Sequence, residues 1–124
     1  MARTPQSQAQ ETGKQGESLA VDLALGRGWQ QPLCNVRLGP NEADLIAFRQ
    51  EAVGTAGLLL EVKSSRSASA VLAARLSQRQ MARLWQMAEF IAEKHQLQRV
   101  EVVLLTVVLG GGYAQSTWTE LEPF

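Results

Sequence analysis

Apolar residues recur along this chain in two rhythms. Between Ser18 and Leu25, the pairs Leu19/Leu23 and Ala20/Ala24 fall at helical spacing. They predict a helix led in by Gly13-Lys14-Gln15-Gly16-Glu17 and ended near Gly26 and Gly28. Trp29 to Leu38 reads as a loop feeding an edge strand, punctuated by Pro32 and Gly39-Pro40. Ala43 to Phe48 and Leu58 to Ser64 are apolar runs of strand length. Arg49 to Gly57, with Gly54 and Gly57, joins them as a hairpin connection. Ser77 to His95 returns to the helical period through Gln80, Leu84, Met87 or Ala88, and Ile91. Met81, Trp85 and Phe90 widen its apolar side, and Ser77 is its expected N-cap. Arg99 to Leu109 is dominated by Val and Leu, as expected of a strand buried on both faces, and Gly110-Gly111-Gly112 ends it. The expected order is α-β-β-β-α-β: an α/β fold with a mixed central sheet flanked by helices. Residues 13–112 form one domain. Polar residues 1–12, with Pro5, read as a flexible tail. Residues 113–124 form an extension that either adds an edge strand through Thr117-Trp118-Thr119 or continues as a tail.

Composition narrows the class. The 124 residues suffice for one core, and 45% apolar with 19% charged is ordinary for a soluble domain. Twelve basic and twelve acidic residues cancel, so binding to nucleic acid would need a local basic face and not a global field. The single cysteine, Cys34, excludes an intrachain disulfide and a cysteine-based metal cage, and reads as a small, partly buried hydrophobe. Arg3 is followed by no apolar stretch of the kind a signal peptide needs. The apolar run Val102 to Leu109 is far short of the roughly 20 residues of a membrane helix. A cytoplasmic protein with no membrane partner is expected.

The candidate chemistry sits on the two apolar segments. Alternation along a strand puts Glu61 and Lys63 on one face and Val62 on the other. Ionised groups at the end of a buried strand seldom lack a partner. A hairpin carries Asp44 to the same end, so Asp, Glu and Lys converge where a divalent cation would fit. The plain structural alternative is an edge-strand Glu–Lys pair beside an Asp that ends a turn. Glu17, placed in the first turn of its helix, is explained by the helix dipole alone. Ser64-Ser65-Arg66-Ser67-Ala68-Ser69 is a polar loop that either meets a phosphate or is a solvated connection. Arg75, Arg79 and Arg83 form one basic stripe if their helix begins early enough, suited to a phosphate backbone or simply to solvent. His95, the only histidine, lies at a helix end and is explained by the dipole. The glycine triplet is not a P-loop, because no Gly-Lys-Ser/Thr follows it.

The ordered set Gly13-x-x-Gly16-Glu17, Asn35-x-Arg37, Glu42-Ala43-Asp44-Leu45-Ile46-Ala47 and Glu61-Val62-Lys63 resembles the YraN-like family. That family looks like a branch of the PD-(D/E)xK nucleases, related in fold to resolvases of branched DNA and to restriction endonucleases. The resemblance runs from about Gly13 to Leu109 and implies a restriction-endonuclease-like core. It makes Asp44 and Glu61 metal-binding carboxylates, joined by the backbone carbonyl of Val62. Lys63 becomes the catalytic lysine and Glu17 the assisting acid of the first helix. The implied cofactor is Mg²⁺, with Mn²⁺ as a substitute, and the implied partner is DNA selected by structure and not by sequence. Arg66, Arg75, Arg79, Gln80 and Arg83 are the expected nucleic-acid contacts, and a homodimer is expected by analogy with the resolvases. Three positions depart from the family pattern: Asn41 stands for a glycine, Ser65 for a basic residue with Arg66 one further on, and Gln80 for a lysine. The expected activity is metal-dependent hydrolysis of DNA phosphodiesters. The rival reading is a non-catalytic nucleic-acid-binding or assembly module of the same fold. A third reading is a structural partner anchored by Trp29, Trp85 or Trp118.

Overall fold

Seven elements follow one another in a computed structural model that describes residues 5–67, 76–110 and 112–122. They are α1 (Pro5–Gly26), β1 (Gln30–Leu38), β2 (Asn41–Glu51), β3 (Gly54–Ser65), α2 (Gln78–His95), β4 (Arg99–Gly110) and β5 (Tyr113–Glu120). The strands form one sheet in the order β1-β2-β3-β4-β5. β1, β2 and β3 pair antiparallel, β3 and β4 pair parallel, and β4 and β5 pair antiparallel. The parallel pair needs a long crossover, and α2 lies within it. The expected α/β fold with a mixed sheet is therefore present, with β5 added as the last strand.

The apolar run of β3 is continuous because both faces of the sheet are covered. Leu58 and Leu60 face α1 and pack with Ala20, Ala24, Leu45, Val103 and Leu105. Leu59 faces α2 and packs with Ile46, Val102, Leu84, Met87 and Ile91. The helix α2 starts where the sequence places its cap. Ser77 Oγ accepts from the Gln80 N–H at 3.1 Å, and Gln80 Oε1 accepts from the Ser77 N–H at 2.8 Å. This is a reciprocal capping box that satisfies two otherwise orphaned donors.

Several expectations are revised. α1 begins at Pro5, so the helix covers most of the segment expected to be a flexible tail. Proline at the start of a helix costs no hydrogen bond, and the Gln, Ala and Glu that follow are good helix formers. This stretch has no apolar stripe, so periodicity gives no sign of it. Thr12 is buried, and its carbonyl accepts from Ser64 Oγ at 3.4 Å. Glu17 is consequently deep within a helix of 22 residues and not in a first turn, so the dipole does not explain it. The hairpin connection shrinks to the two residues between Glu51 and Gly54. α2 begins at Gln78, and Arg75, expected on the same basic stripe, lies outside the described residues. No helix among the described residues is long and apolar enough to cross a membrane.

Candidate functional site

The site arises where β2 leaves β3. Their ladder runs from Glu51↔Gly54 to Leu45↔Leu60 and stops, so the next residues, Asp44 and Glu61, lie beyond the last pair. The Val62 N–H, facing β2 past the end of the ladder, donates to Asp44 Oδ2 at 2.7 Å. In an extended strand the carbonyl of a residue points to the same edge as its N–H. The Val62 carbonyl therefore also faces the gap. Leu59 points to α2, so alternation sends Glu61 and Lys63 to that side, while Val62 packs with the α1-side core. Glu61 is buried, and Lys63 Nζ lies 3.5 Å from Glu61 Oε1 with about a third of the lysine side chain exposed.

Two carboxylates in this position resist ionisation. Burial raises the Asp44 carboxyl above its ordinary range, against the opposing effects of the Val62 N–H and the Lys63 charge. Burial also raises Glu61, and the neighbouring Asp44 charge raises it further, while Lys63 and Arg83 act the other way. Burial is the first cause in both, and the charges of Lys63 and Arg83 offset it only in part.

Asp44 is shared by two clefts. One, of about 310 Å³, contains Asn41, Glu42, Asp44, Glu61 and Arg83 on the α2 side. The other, of about 530 Å³, lies on the α1 side and contains Lys14, Glu17, Asn35, Asp44, Val62 and Ser64. Glu17 reaches this cleft because α1 presses closely on β3. A Cβ added at Gly16 would lie 2.9 Å from both Cβ and Oγ of Ser64, so only glycine fits. The Glu17 carboxylate accepts from Asn35 Nδ2 at 3.0 Å. Cys34 lies beside it. Burial first, and then Glu17, push the thiol up to about 11, so it stays protonated and is a poor nucleophile.

The structure brings together Asp44, Glu61, Val62 and Lys63, with Glu17 across the α1-side cleft and Arg83 across the α2-side cleft. Arg79 is exposed one turn before Arg83, and Arg66 is exposed just past β3. Gln80 is engaged at the helix cap. Sequence reasoning assigns no chemical role to Lys14, Gly16 or Asn35, and it places Ser64 at the start of a polar loop, whereas Ser64 lies within β3 and its hydroxyl donates to the Thr12 carbonyl. Gly16, a glycine inside a helix, is a visible signal of a close helix approach, and the Ser77/Gln80 spacing is one of a capping box.

Fold and site define an α/β protein whose mixed five-stranded sheet opens between two strands over a buried glutamate, a half-buried aspartate and a lysine. Residues 16–105 match the uncharacterised protein family UPF0102, and the chain belongs to that family, the YraN-like family its motifs resemble. No curated protein matches it. The matched span contains Glu17, Asp44, Glu61 and Lys63.

Proposed function

We propose that this protein is a metal-dependent nuclease of the PD-(D/E)xK type, acting on DNA of branched or otherwise irregular structure. The observation that carries the proposal is the Asp44–Glu61 pair, half-buried or buried, raised in pKa and set against Lys63 where β2 and β3 part. A dication is the group that such a pair lacks. Among the described residues no group of three or more His, Cys, Asp or Glu is placed to hold one metal ion, so the donors on offer are two carboxylates and the Val62 carbonyl. That set suits Mg²⁺, which keeps several waters, with Mn²⁺ as a substitute. When bound, the ion would polarise a phosphate and acidify a water. Lys63, partly exposed beside Glu61, would orient the attacking water or offset charge developing on the phosphate. Glu17 would act from the α1 side through water. Arg83 and Arg79 would hold flanking phosphates.

The test is cleavage of forked, nicked and four-way DNA with Mg²⁺ or Mn²⁺, alongside calorimetric titration of both ions. Glu61→Ala and Lys63→Ala should each lower cleavage by about 100-fold or more while the circular dichroism stays native. Asp44→Asn with Glu61→Gln should abolish ion binding. Wild-type protein that neither binds Mn²⁺ nor cuts any of these substrates would overturn the reading.

The second reading, a non-catalytic nucleic-acid-binding module, is favoured by one observation. Gln80, at the position of the family's helix lysine, is committed to the cap of α2. It predicts that Arg79→Ala and Arg83→Ala weaken DNA binding while Lys63→Ala leaves it unchanged.

A further inference from the structure

Asn35 has a left-handed backbone, with φ 55°, in the middle of a strand. Asparagine tolerates this conformation better than most residues, but the cost is still real, and such outliers gather at functional positions. The β1–β2 register passes from Cys34↔Leu45 to Val36↔Ala43, and the pair it skips is Asn35 with Asp44. Across it each strand changes face, Cys34 and Leu45 packing on the α1 side and Val36 and Ala43 on the α2 side, next to the point where β2 also leaves β3. The irregularity changes which face Asn35 serves. Cys34 packs with the α1-side core, so unbroken alternation would send Asn35 to the α2 side. Its amide instead meets Glu17 on α1, in the cleft that Asp44 also lines.

We infer that Asn35 is a positioning residue: its side-chain amide, turned to the α1 face by the left-handed backbone, holds the Glu17 carboxylate at the cleft beside Asp44. The catalytic part of this inference rests on the nuclease reading, whereas the Asn35–Glu17 coupling does not. Glu17 projects from a helix and would otherwise sample several rotamers in an open cleft. One amide donor from the sheet fixes it relative to the Asp44–Glu61 pair, as outer hydrogen bonds fix ligands in metal sites. The β1–β2 ladder makes no pair at Asp44, and the Asp44 side chain accepts from the Val62 N–H.

Asn35→Gly provides the test, because glycine accepts the left-handed backbone and removes only the amide. It is compared with Glu17→Gln and with the double variant. The readouts are metal-dependent cleavage, resolved into kcat and KM, and the alkylation rate of Cys34, the only thiol, by iodoacetamide at fixed pH. Each single variant should lower kcat by about tenfold with little change in KM, and the double variant should be no worse than either. Alkylation should quicken in both singles, since Glu17 no longer sits beside the thiol, and should not quicken further in the double. Native kcat and native alkylation in Asn35→Gly would overturn the inference, as would effects that multiply in the double. If the wild type cuts nothing, the nuclease reading falls and the alkylation cycle still decides whether Asn35 holds Glu17.

Discussion

At the scale of single residues, Glu61 is a side chain whose ionisation the fold opposes. Burial, and then Asp44, lift its carboxyl above the ordinary 4.5. In the window above that value the native protein keeps a proton that the unfolded chain has lost, so the metal-free fold loses stability as pH rises. Glu61→Gln removes this linkage. In the presence of a chelator, its melting temperature at pH 8 should exceed that of the wild type by roughly 3 °C, and the difference should vanish below the ordinary pKa. Thermal scans at the two pH values check this, and equal melting temperatures at pH 8 would contradict it. Added Mg²⁺ should stabilise the wild type and leave Glu61→Gln unmoved. The same residues show what the sequence discloses. Glu61 and Lys63 are legible because strand alternation fixes their common side, and Asp44 because an antiparallel hairpin returns it to the same end. Asn35 is not, because its role depends on one backbone angle that reverses the face expected of it. Nor is the pairing of Glu17 with Asn35, which joins a helix to an edge strand across 18 residues.

At the scale of elements, the packing of α1 on β3 decides whether Glu17 reaches the site. Two glycines in the same helix give opposite expectations. A Cβ added at Gly13 would meet no atom within 4 Å, so Gly13→Ala should stabilise the fold by about 0.5–1 kcal/mol through helix propensity. Gly16→Ala drives its methyl into Ser64 and should destabilise by about 1–3 kcal/mol, as overpacking does. It should also lower cleavage by displacing Glu17. Ser64→Gly in the Gly16→Ala background clears the clash and should restore activity. Urea denaturation of the four proteins measures the stabilities, and equal stability of the two alanine variants would refute the close-approach account. The other helix gives a simpler expectation. Ser77→Ala removes one half of the capping box and should cost about 1 kcal/mol in the same assay. The apolar stripe and cap of α2 are readable from the sequence, whereas the first turns of α1 are not. Their Gln-rich sequence carries helix propensity without any period, and nothing in it distinguishes a helix from a tail.

At the scale of the whole molecule, a formal charge of zero conceals an uneven distribution. At the end of the sheet remote from Asp44, basic residues are paired. Arg99 Nε donates to Glu51 at 2.8 Å, and Arg49 lies between Glu51 and Glu101. Arg49 also stacks on Trp29, and Arg27 stacks on Trp118. These contacts join residues far apart in sequence and have no local signature. At the Asp44 end, Lys63, Arg79 and Arg83 offer cations on the α2 side, with Arg79 and Arg83 four apart on α2, and Arg66 is exposed just past β3. On the proposed function, DNA bound through this patch alone would have few phosphates neutralised. The logarithm of affinity should fall with the logarithm of salt concentration at a slope of about −3, shallow for a nucleic-acid-binding protein. Arg79→Ala, being exposed and remote from the carboxylates, should reduce that slope by about 1 without changing cleavage per bound complex. Arg83→Ala should do both, because Arg83 also offsets the Glu61 charge. Fluorescence anisotropy over a salt series with labelled four-way DNA measures the slope. A slope that Arg79→Ala leaves unchanged would mean that DNA approaches from the α1 side, over Lys14 and the larger cleft.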